Sequence, residues 1–323
     1  MRDHEVPPEV SVVIPTYNRP GLLRRAVTSA VEQEGVRVEV IVVDDGSSPH
    51  VSAAALPPEV TITRTGSVGV AAARNLGAQL ARAPWIAFLD DDDWWAPDHV
   101  RRLLSAAAAT DAGFAYAATW NVSMATGHAA FTPAAPAAGL DTMLLRTNAI
   151  GTPSCVIVLR SLYLEVGGFD PSLAVVADWD LWIRLARVAH GVAGPAATVA
   201  YAAHDENMSS DIPRLLNEFR QLAARHAAAC RRHGIRFGDP GFPHWIAQLY
   251  RRQGRRLRAA AWYLRSARIP GWRLDALRAV GVLLGERAMS HSRRPLAGQS
   301  VPVPGWVTPG NASAHPVAHW PES

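Results

Sequence analysis

Four consecutive carboxylates, Asp90-Asp91-Asp92-Asp93, directly follow the apolar run WIAFL. Adjacent carboxylates repel one another and cost stability unless a cation or hydrogen-bond donors compensate them. A hard divalent ion such as Mg²⁺ takes few protein carboxylates and fills its other positions with water and phosphate oxygens. The plainer reading of the run is a solvated acidic turn before a helix that begins near Pro97. A second acidic pair, Asp44-Asp45, follows VEVIVV and continues as Gly46-Ser47. Asp-Gly-Ser supports an Asx-type turn. A carboxylate at the end of a strand can also accept hydrogen bonds from the base or ribose of a nucleotide.

Both clusters terminate strands. VSVVI (Val10 to Ile14) is a short β-branched strand, followed by a Pro-Thr-Tyr-Asn loop and a helix from about Gly21 to Gln33. VEVIVV (Val38 to Val43) is a second buried strand, and VTIT near Val60 a short third. A helix over Val70 to Ala81 precedes WIAFL (Trp85 to Leu89), the fourth strand. Strands alternating with helices predict an α/β fold with a mostly parallel sheet flanked by helices. Ligands of such sheets gather at the C-terminal strand ends. Positions 16–19, 44–48 and 90–93 all lie there. That shared level tips Asp90 to Asp93 toward a metal.

From Phe114 to about Ala203 the pattern mixes strands (FAYAATW, SCVIVL) with a helix from Asp180 to Val188. Beyond Asp211 two or three helices are expected up to about Met289. The expected divisions are a catalytic domain over 9–210, a helical C-terminal appendage over 211–290, and a disordered tail rich in Pro, Gly and Ser over 291–323.

Composition bounds the rest. The chain has 323 residues, enough for one large α/β domain and a smaller appendage. Its 49% hydrophobic content excludes a disordered chain. All 32 basic residues are arginine, so the net charge of +4 says less than their distribution, which thickens after Arg231. Cys155 and Cys230 make neither a disulfide framework nor a zinc site, and Cys155 sits in an apolar run as a core residue would. The opening MRDHEVPPEV lacks the apolar stretch of a signal peptide. No run reaches the roughly 18 apolar residues of a membrane span. A cytoplasmic location is therefore expected, with peripheral contact at the inner membrane face as a further option.

VSVVIPTYNRP, VEVIVVDDGSS, GVAAARNLGA, WIAFLDDDDWWAPDHV, GGFDPSL and ADWDLWIRLA occur in the order and spacing of the family 2 glycosyltransferases. The resemblance covers 9–210 and implies a GT-A, Rossmann-like fold. It implies a non-processive enzyme that moves a sugar from a nucleotide-diphosphate sugar, with UDP expected ahead of dTDP and GDP, to an acceptor hydroxyl. By the same resemblance Pro15, Thr16, Tyr17 and Arg19 hold the nucleotide, with Tyr17 against the base, which Asp45 reads. Arg74 lies near the base and diphosphate. Asp90 and Asp92 are the first and last positions of a DxD motif, Asp92 binding Mg²⁺ or Mn²⁺. Asp91 and Asp93 contact the sugar or tune the site. Asp178 matches the general base and His204 a histidine near diphosphate or metal.

These parts imply inversion by direct displacement. The metal and Arg74 offset charge on the departing diphosphate, and Asp178 takes the acceptor's proton. Two positions depart from the family pattern. Ala177 stands where a glutamate is common, and Ser67 where an asparagine often precedes GV. Asp180 is the alternative base, or else a helix-start residue. Trp179, Trp182 and Leu185, at helical spacing, read as core. Gln221, Arg225 and His226 resemble the QxxRW motif of processive synthases without its tryptophan.

Other classes fit less well. A sugar nucleotidyltransferase would begin with a Gly-rich phosphate loop, which IPTYNRP is not. A non-catalytic sugar-nucleotide-binding homologue should lose base or metal aspartates, and both are kept. Nucleic-acid binding is not expected, because the basic C-terminal region carries no RNA-binding motif. That region sets Trp245, Leu249, Trp262 and Leu264 among Arg251, Arg252, Arg255, Arg256, Arg258 and Arg265. It reads as a helical cap with a solvated basic face, or as a face for an anionic membrane. Acceptors in keeping with these features are an envelope glycan, a lipid carrier or a secondary metabolite.

Overall fold

The computed structural model describes residues 6–204, 210–239, 241–269, 273–284 and 302–308. The chain divides into two units. Met1–Leu140, Ile150–Asp205 and Val303–Ser323 form one, and Asp141–Ala149 with Glu206–Pro302 the other.

In the first unit, VSVVIPT forms β1 (Val10–Thr16), buried at every position, and a proline at its first residue starts α1 (Pro20–Val31). Next come β2 (Val38–Asp44), β3 (Thr61–Arg64), α2 (Val70–Leu80), β4 (Trp85–Phe88) and β5 (Trp94–Trp95). Then follow α3 (His99–Thr110), β6 (Phe114–Ser123), β7 (Ala129–Thr132) and α4 (Leu140–Leu144), which after Leu140 belongs to the second unit. The series continues with β8 (Val156–Leu159), α5 (Arg160–Glu165), α6 (Ala177–Ala186) and β9 (Gly191–Ala203).

The strands form one sheet ordered β3-β2-β1-β4-β8-β6-β9-β5, with β7 beside β6. It is parallel from β3 to β4, antiparallel at β4–β8 and β8–β6, and parallel again at β6–β9. Leu23, Ala26, Val27 and Ala30 of α1 and Val100, Leu103 and Ala107 of α3 close over it in a common core. Burial of the valine and leucine side chains contributes about 1.5–3 kcal/mol each.

Register aligns the strand ends. Thr16 pairs with Asp44, and Asp44 with Arg64, so the loops after β1, β2 and β3 open side by side. β4 stops at Phe88, opposite Val13, and the four aspartates continue from there into the same region. The two-residue β5 then pairs with β9 through Trp94–Ala200 and Trp95–Val199, drawing the acidic run against the end of β9.

Within the stretch read as a disordered tail, Gly305–Val307 form a 3₁₀ turn. Trp94 Nε1 donates to the Trp306 carbonyl at 2.9 Å, and fully buried Val307 packs with Trp94, Trp120 and Val122. Residues 291–301 and 309–323 lie outside the described residues.

The second unit is helical, with α7 (Ile212–Arg225), α8 (Ala227–Arg232), α9 (Gly241–Arg252), α10 (Arg256–Ala267) and α11 (Leu274–Leu284). α10 packs on both α9 and α11. Among the described residues no helix is long and apolar enough to cross a membrane.

Candidate functional site

The four aspartates alternate in exposure. Asp90 and Asp92 are partly open, whereas Asp91 and Asp93 are buried, Asp93 completely. A turn closed by Asp93 N–H on the Asp90 carbonyl, at 3.1 Å, produces this alternation.

Each carboxylate has its own partners. Asp90 pairs with Arg74 and accepts from Thr152 Oγ1 at 3.3 Å. Asp91 accepts from Thr16 Oγ1 at 2.7 Å and Arg19 Nη1 at 3.3 Å. Asp92 Oδ2 meets Arg19 Nη1 and His204 Nε2, each at 2.9 Å. Asp93 accepts from Ser154 Oγ at 2.6 Å and from the Ala202 N–H of β9 at 2.9 Å. Arg25 supports the turn from below. Its Nη2 donates to the Asp92 carbonyl at 2.8 Å, and its guanidinium lies 3.7 Å from the centre of the Trp94 ring.

The electrostatics follow the burial. Burial pushes Asp91 up to about 6, with the Thr16 hydrogen bond and Arg19 opposing, and Asp92 and Asp90 adding. Burial, then the charges of Asp92 and Asp90, raise Asp93 well above the carboxylate range. Burial also works to raise Asp92, but the His204 hydrogen bond and Arg19 outweigh it and hold Asp92 low. The open Asp92 therefore differs from the buried Asp91 and Asp93 in the direction of its shift as well as in its exposure.

Among the described residues, no group of three or more His, Cys, Asp and Glu side chains forms a metal cage. A Mg²⁺-like ion is nonetheless held by one or two protein ligands with phosphate oxygens and water completing the shell. The Asp92 carboxylate, with Asp90 open on the same turn, is a donor of that kind, while His204 Nε2 donates to Asp92 at 2.9 Å and would have to give up that hydrogen bond to join an ion's shell.

At the β1 and β2 ends, Tyr17 is 54% exposed, and its loop is tied to the next by Asn18 N–H on Ser47 Oγ at 2.9 Å and Ser48 N–H on Asn18 Oδ1 at 2.8 Å. Pro15 is buried inside β1 opposite Val43, so its side chain shapes the strand rather than the opening. Asp45 clamps a loop. Its carboxylate accepts from Thr65 Oγ1 at 2.5 Å, Val68 N–H at 2.7 Å and Gly69 N–H at 2.8 Å. Gly46 turns this corner at φ +91°, where an added Cβ would collide with Ser67. Asp44 receives the Ser47 and Val51 N–H groups at 2.8 and 3.0 Å, the turn role its Gly-Ser sequel suggested.

Asp178 stands in the first turn of α6, partly open, with its Oδ1 accepting the Trp179 N–H at 2.7 Å. α6 reaches the acidic turn through Trp182, whose Nε1 donates at 3.1 Å to the carbonyl of Gly151, the neighbour of Thr152. The buried Cys155 thiol is pushed up by burial and then by the charges of Asp93, Asp178 and Asp90. Asp180, the alternative base, does not open to the site. It is fully buried and accepts from Arg184 Nε at 2.8 Å, which makes it an anchor inside the helix. Trp179, Trp182 and Leu185 are core.

Several residues of the site were not singled out from the sequence. Asn75 binds the Gly168-Phe169 loop, donating to the Phe169 carbonyl at 2.8 Å and accepting its N–H at 2.9 Å. Arg184 holds the same loop by the carbonyls of Val166 and Gly168 at 2.6 and 2.7 Å. Arg74 lies 5.1 Å from the Phe169 ring centre. Position next to Arg74 was the available signal for Asn75; Thr152, Ser154 and Arg25 had none.

The sequence model of the family described as Glycosyl transferase family 2 matches residues 11–167. The uncharacterized glycosyltransferase YwdF of Bacillus subtilis is 30% identical over 212 residues, covering 63% of this chain and 78% of YwdF. The succinoglycan biosynthesis protein ExoO of Rhizobium meliloti is 44% identical over 112 residues, 33% of this chain and only 32% of ExoO. S. aureus TarS matches with a TM-score of 0.52 at 16% identity, covering 87% of this chain and 50% of that chain. TarS 1–349 in complex with UDP-GlcNAc matches with a TM-score of 0.50 at 17% identity, over 83% of this chain and 90% of that one. At these identities the likeness shows the GT-A fold. With 78% of YwdF covered at 30% identity, the chain belongs to glycosyl transferase family 2.

Proposed function

We propose that this chain transfers a single sugar from a nucleotide-diphosphate sugar to an acceptor hydroxyl, with inversion at the anomeric carbon. The observation that carries the reading is the split of the acidic run. Asp90 and Asp92 stay open beside Arg74, Arg19 and His204, while Asp91 and Asp93 turn inward to hold the turn.

Tyr17 offers its exposed ring to the base, and Asp45 shapes the base end through the loop it clamps. Thr16 and Arg19 set the nucleotide side of the acidic turn. Asp178 accepts the acceptor's proton as that oxygen forms a bond to the anomeric carbon. The bond from that carbon to the diphosphate oxygen breaks, and its electron pair leaves with the diphosphate. Arg74 and Arg19 stabilise the charge that develops there. When bound by Asp92 and His204, Mg²⁺ or Mn²⁺ would supply Lewis-acid stabilisation of the diphosphate.

UDP is the proposed nucleotide, in keeping with the TarS structure that holds UDP-GlcNAc. An envelope glycan, a lipid carrier or a secondary metabolite would supply the hydroxyl. The test is a panel of UDP-, dTDP- and GDP-sugars scored for hydrolysis with and without Mn²⁺, then proton NMR of the transfer product. One donor turned over only with metal, giving product of inverted configuration, is the expected result. Hydrolysis unaffected by EDTA would remove the metal from the proposal, and retained configuration would remove direct displacement.

A further inference from the structure

The C-terminal helical unit carries an apolar face that its own packing leaves uncovered. In α11, Asp275, Ala279 and Val282 face inward, whereas Leu274, Leu277, Val280, Leu283 and Leu284 are 49% to 72% exposed. A helix that is apolar on its outer side as well as its inner one needs something to cover it. The orientation is built in. Buried Asp275 accepts from His244 Nδ1 of α9 at 2.7 Å and pairs with Arg278, and His244 Nε2 meets Gln248 at 2.7 Å. Burial of a carboxylate is tolerated only with partners of this sort, so rotating the leucines inward would break the knot.

Charge indicates the occupant. Residues 241–284 contain nine arginines and one acidic residue, Asp275, which is fully buried. All the arginines but Arg251 are exposed. A second copy of the chain would bring the same positive rim against this one. A nucleic acid would use the arginines but leave the aliphatic side chains wet. An anionic lipid surface satisfies both features, since aliphatic side chains enter the headgroup boundary while basic ones remain among the phosphates.

We infer that α11 docks this chain onto an anionic bilayer surface, with its Leu and Val face inserted and Arg265, Arg268 and Arg273 contacting lipid headgroups. The inference does not depend on the transfer reaction. It extends the basic-face expectation by assigning the insertion to α11.

The full chain is sedimented with vesicles of phosphatidylcholine alone and of phosphatidylcholine with phosphatidylglycerol, at low and high salt. Pelleting is expected with the anionic vesicles only, and salt should weaken it. Leu277→Glu with Leu284→Glu should lower partitioning by about tenfold or more. Arg273→Gln should lower it by about fivefold. Both variants alter exposed positions, so their circular dichroism and vesicle-free donor hydrolysis should match wild type. That readout also separates failure here from failure of the transfer reading. Wild type remaining in the supernatant with every vesicle, or the double variant pelleting as well as wild type, overturns the inference. A wild-type dimer at sedimentation equilibrium that the double variant makes monomeric, without vesicle binding, would assign the face to a second copy instead.

Discussion

Asn75 and Phe169, 94 positions apart, exchange two hydrogen bonds, with the Asn75 amide acting as a surrogate backbone for the loop that precedes α6. Gly168 makes the approach feasible. Its φ is +66°, and a Cβ there would lie 2.6 Å from Asn75 Oδ1. Asn75 also accepts from Tyr163 Oη, so one side chain joins α2, α5 and the loop leading toward Asp178.

Asn75→Ala would leave the buried Phe169 N–H and carbonyl without this partner. Each such group costs about 1–3 kcal/mol, so a fall in thermal midpoint is expected. Turnover should fall more than donor affinity, because the loop leads to α6 and Asp178, the proposed base. Equal losses in kcat and in donor binding would assign Asn75 a general structural role.

Asp92→Ala removes the acceptor shared by Arg19 and His204 without touching the core. Metal-dependent donor turnover should disappear while the unfolding midpoint stays close to wild type. Circular dichroism melts and a Mn²⁺ titration of hydrolysis check both halves. Full activity in the variant would exclude Asp92 as the metal ligand.

Asp178→Asn keeps the shape of the side chain and removes its basic lone pair. Transfer should fall by roughly 10²–10⁴, the usual worth of a general base, with the donor dissociation constant little changed. A variant that turns over normally but binds donor poorly would make Asp178 a binding residue.

His99 gives the fold an acid limit that is separate from the site. It is fully buried, stacks on Trp95 at 4.5 Å between ring centres, and meets Thr198 Oγ1 at 2.7 Å. Burial lowers its pKa to about 3, whereas the unfolded chain titrates near the ordinary value of about 6.5. Above that value both states are neutral and the contribution is complete. As pH falls toward about 3 only the unfolded state takes the proton, and stability drops by up to about 1.4 kcal/mol per pH unit. Urea melts at about pH 7 and about pH 4.5 should show this loss, and His99→Phe should flatten it. An unchanged slope in the variant would assign the acid sensitivity to other groups.

Local pattern determined a good deal of this protein. Short apolar runs ended by Pro-Thr-Tyr-Asn or by acidic turns specified β1, β2 and β4, and with them the strand ends where Thr16, Asp45 and Asp90 to Asp93 lie, because period and turn chemistry act over neighbouring residues. The tertiary structure decided the rest. β9, an alanine-rich run with Gly and Pro inside it, is a strand because β6 pairs along its length and β5 near its end. β5 is two tryptophans given strand geometry by Ala200 and Val199. Those pairings choose which aspartates face inward, since the partners of Asp93 come from Ser154 and Ala202. They also bring His204 to Asp92 across 112 positions. The turn at Trp306 likewise takes its place from Trp94, 212 positions earlier. Hydrogen bonds and burial between distant segments carry no local periodicity, so the direction of each carboxylate was decided only when the chain closed on itself.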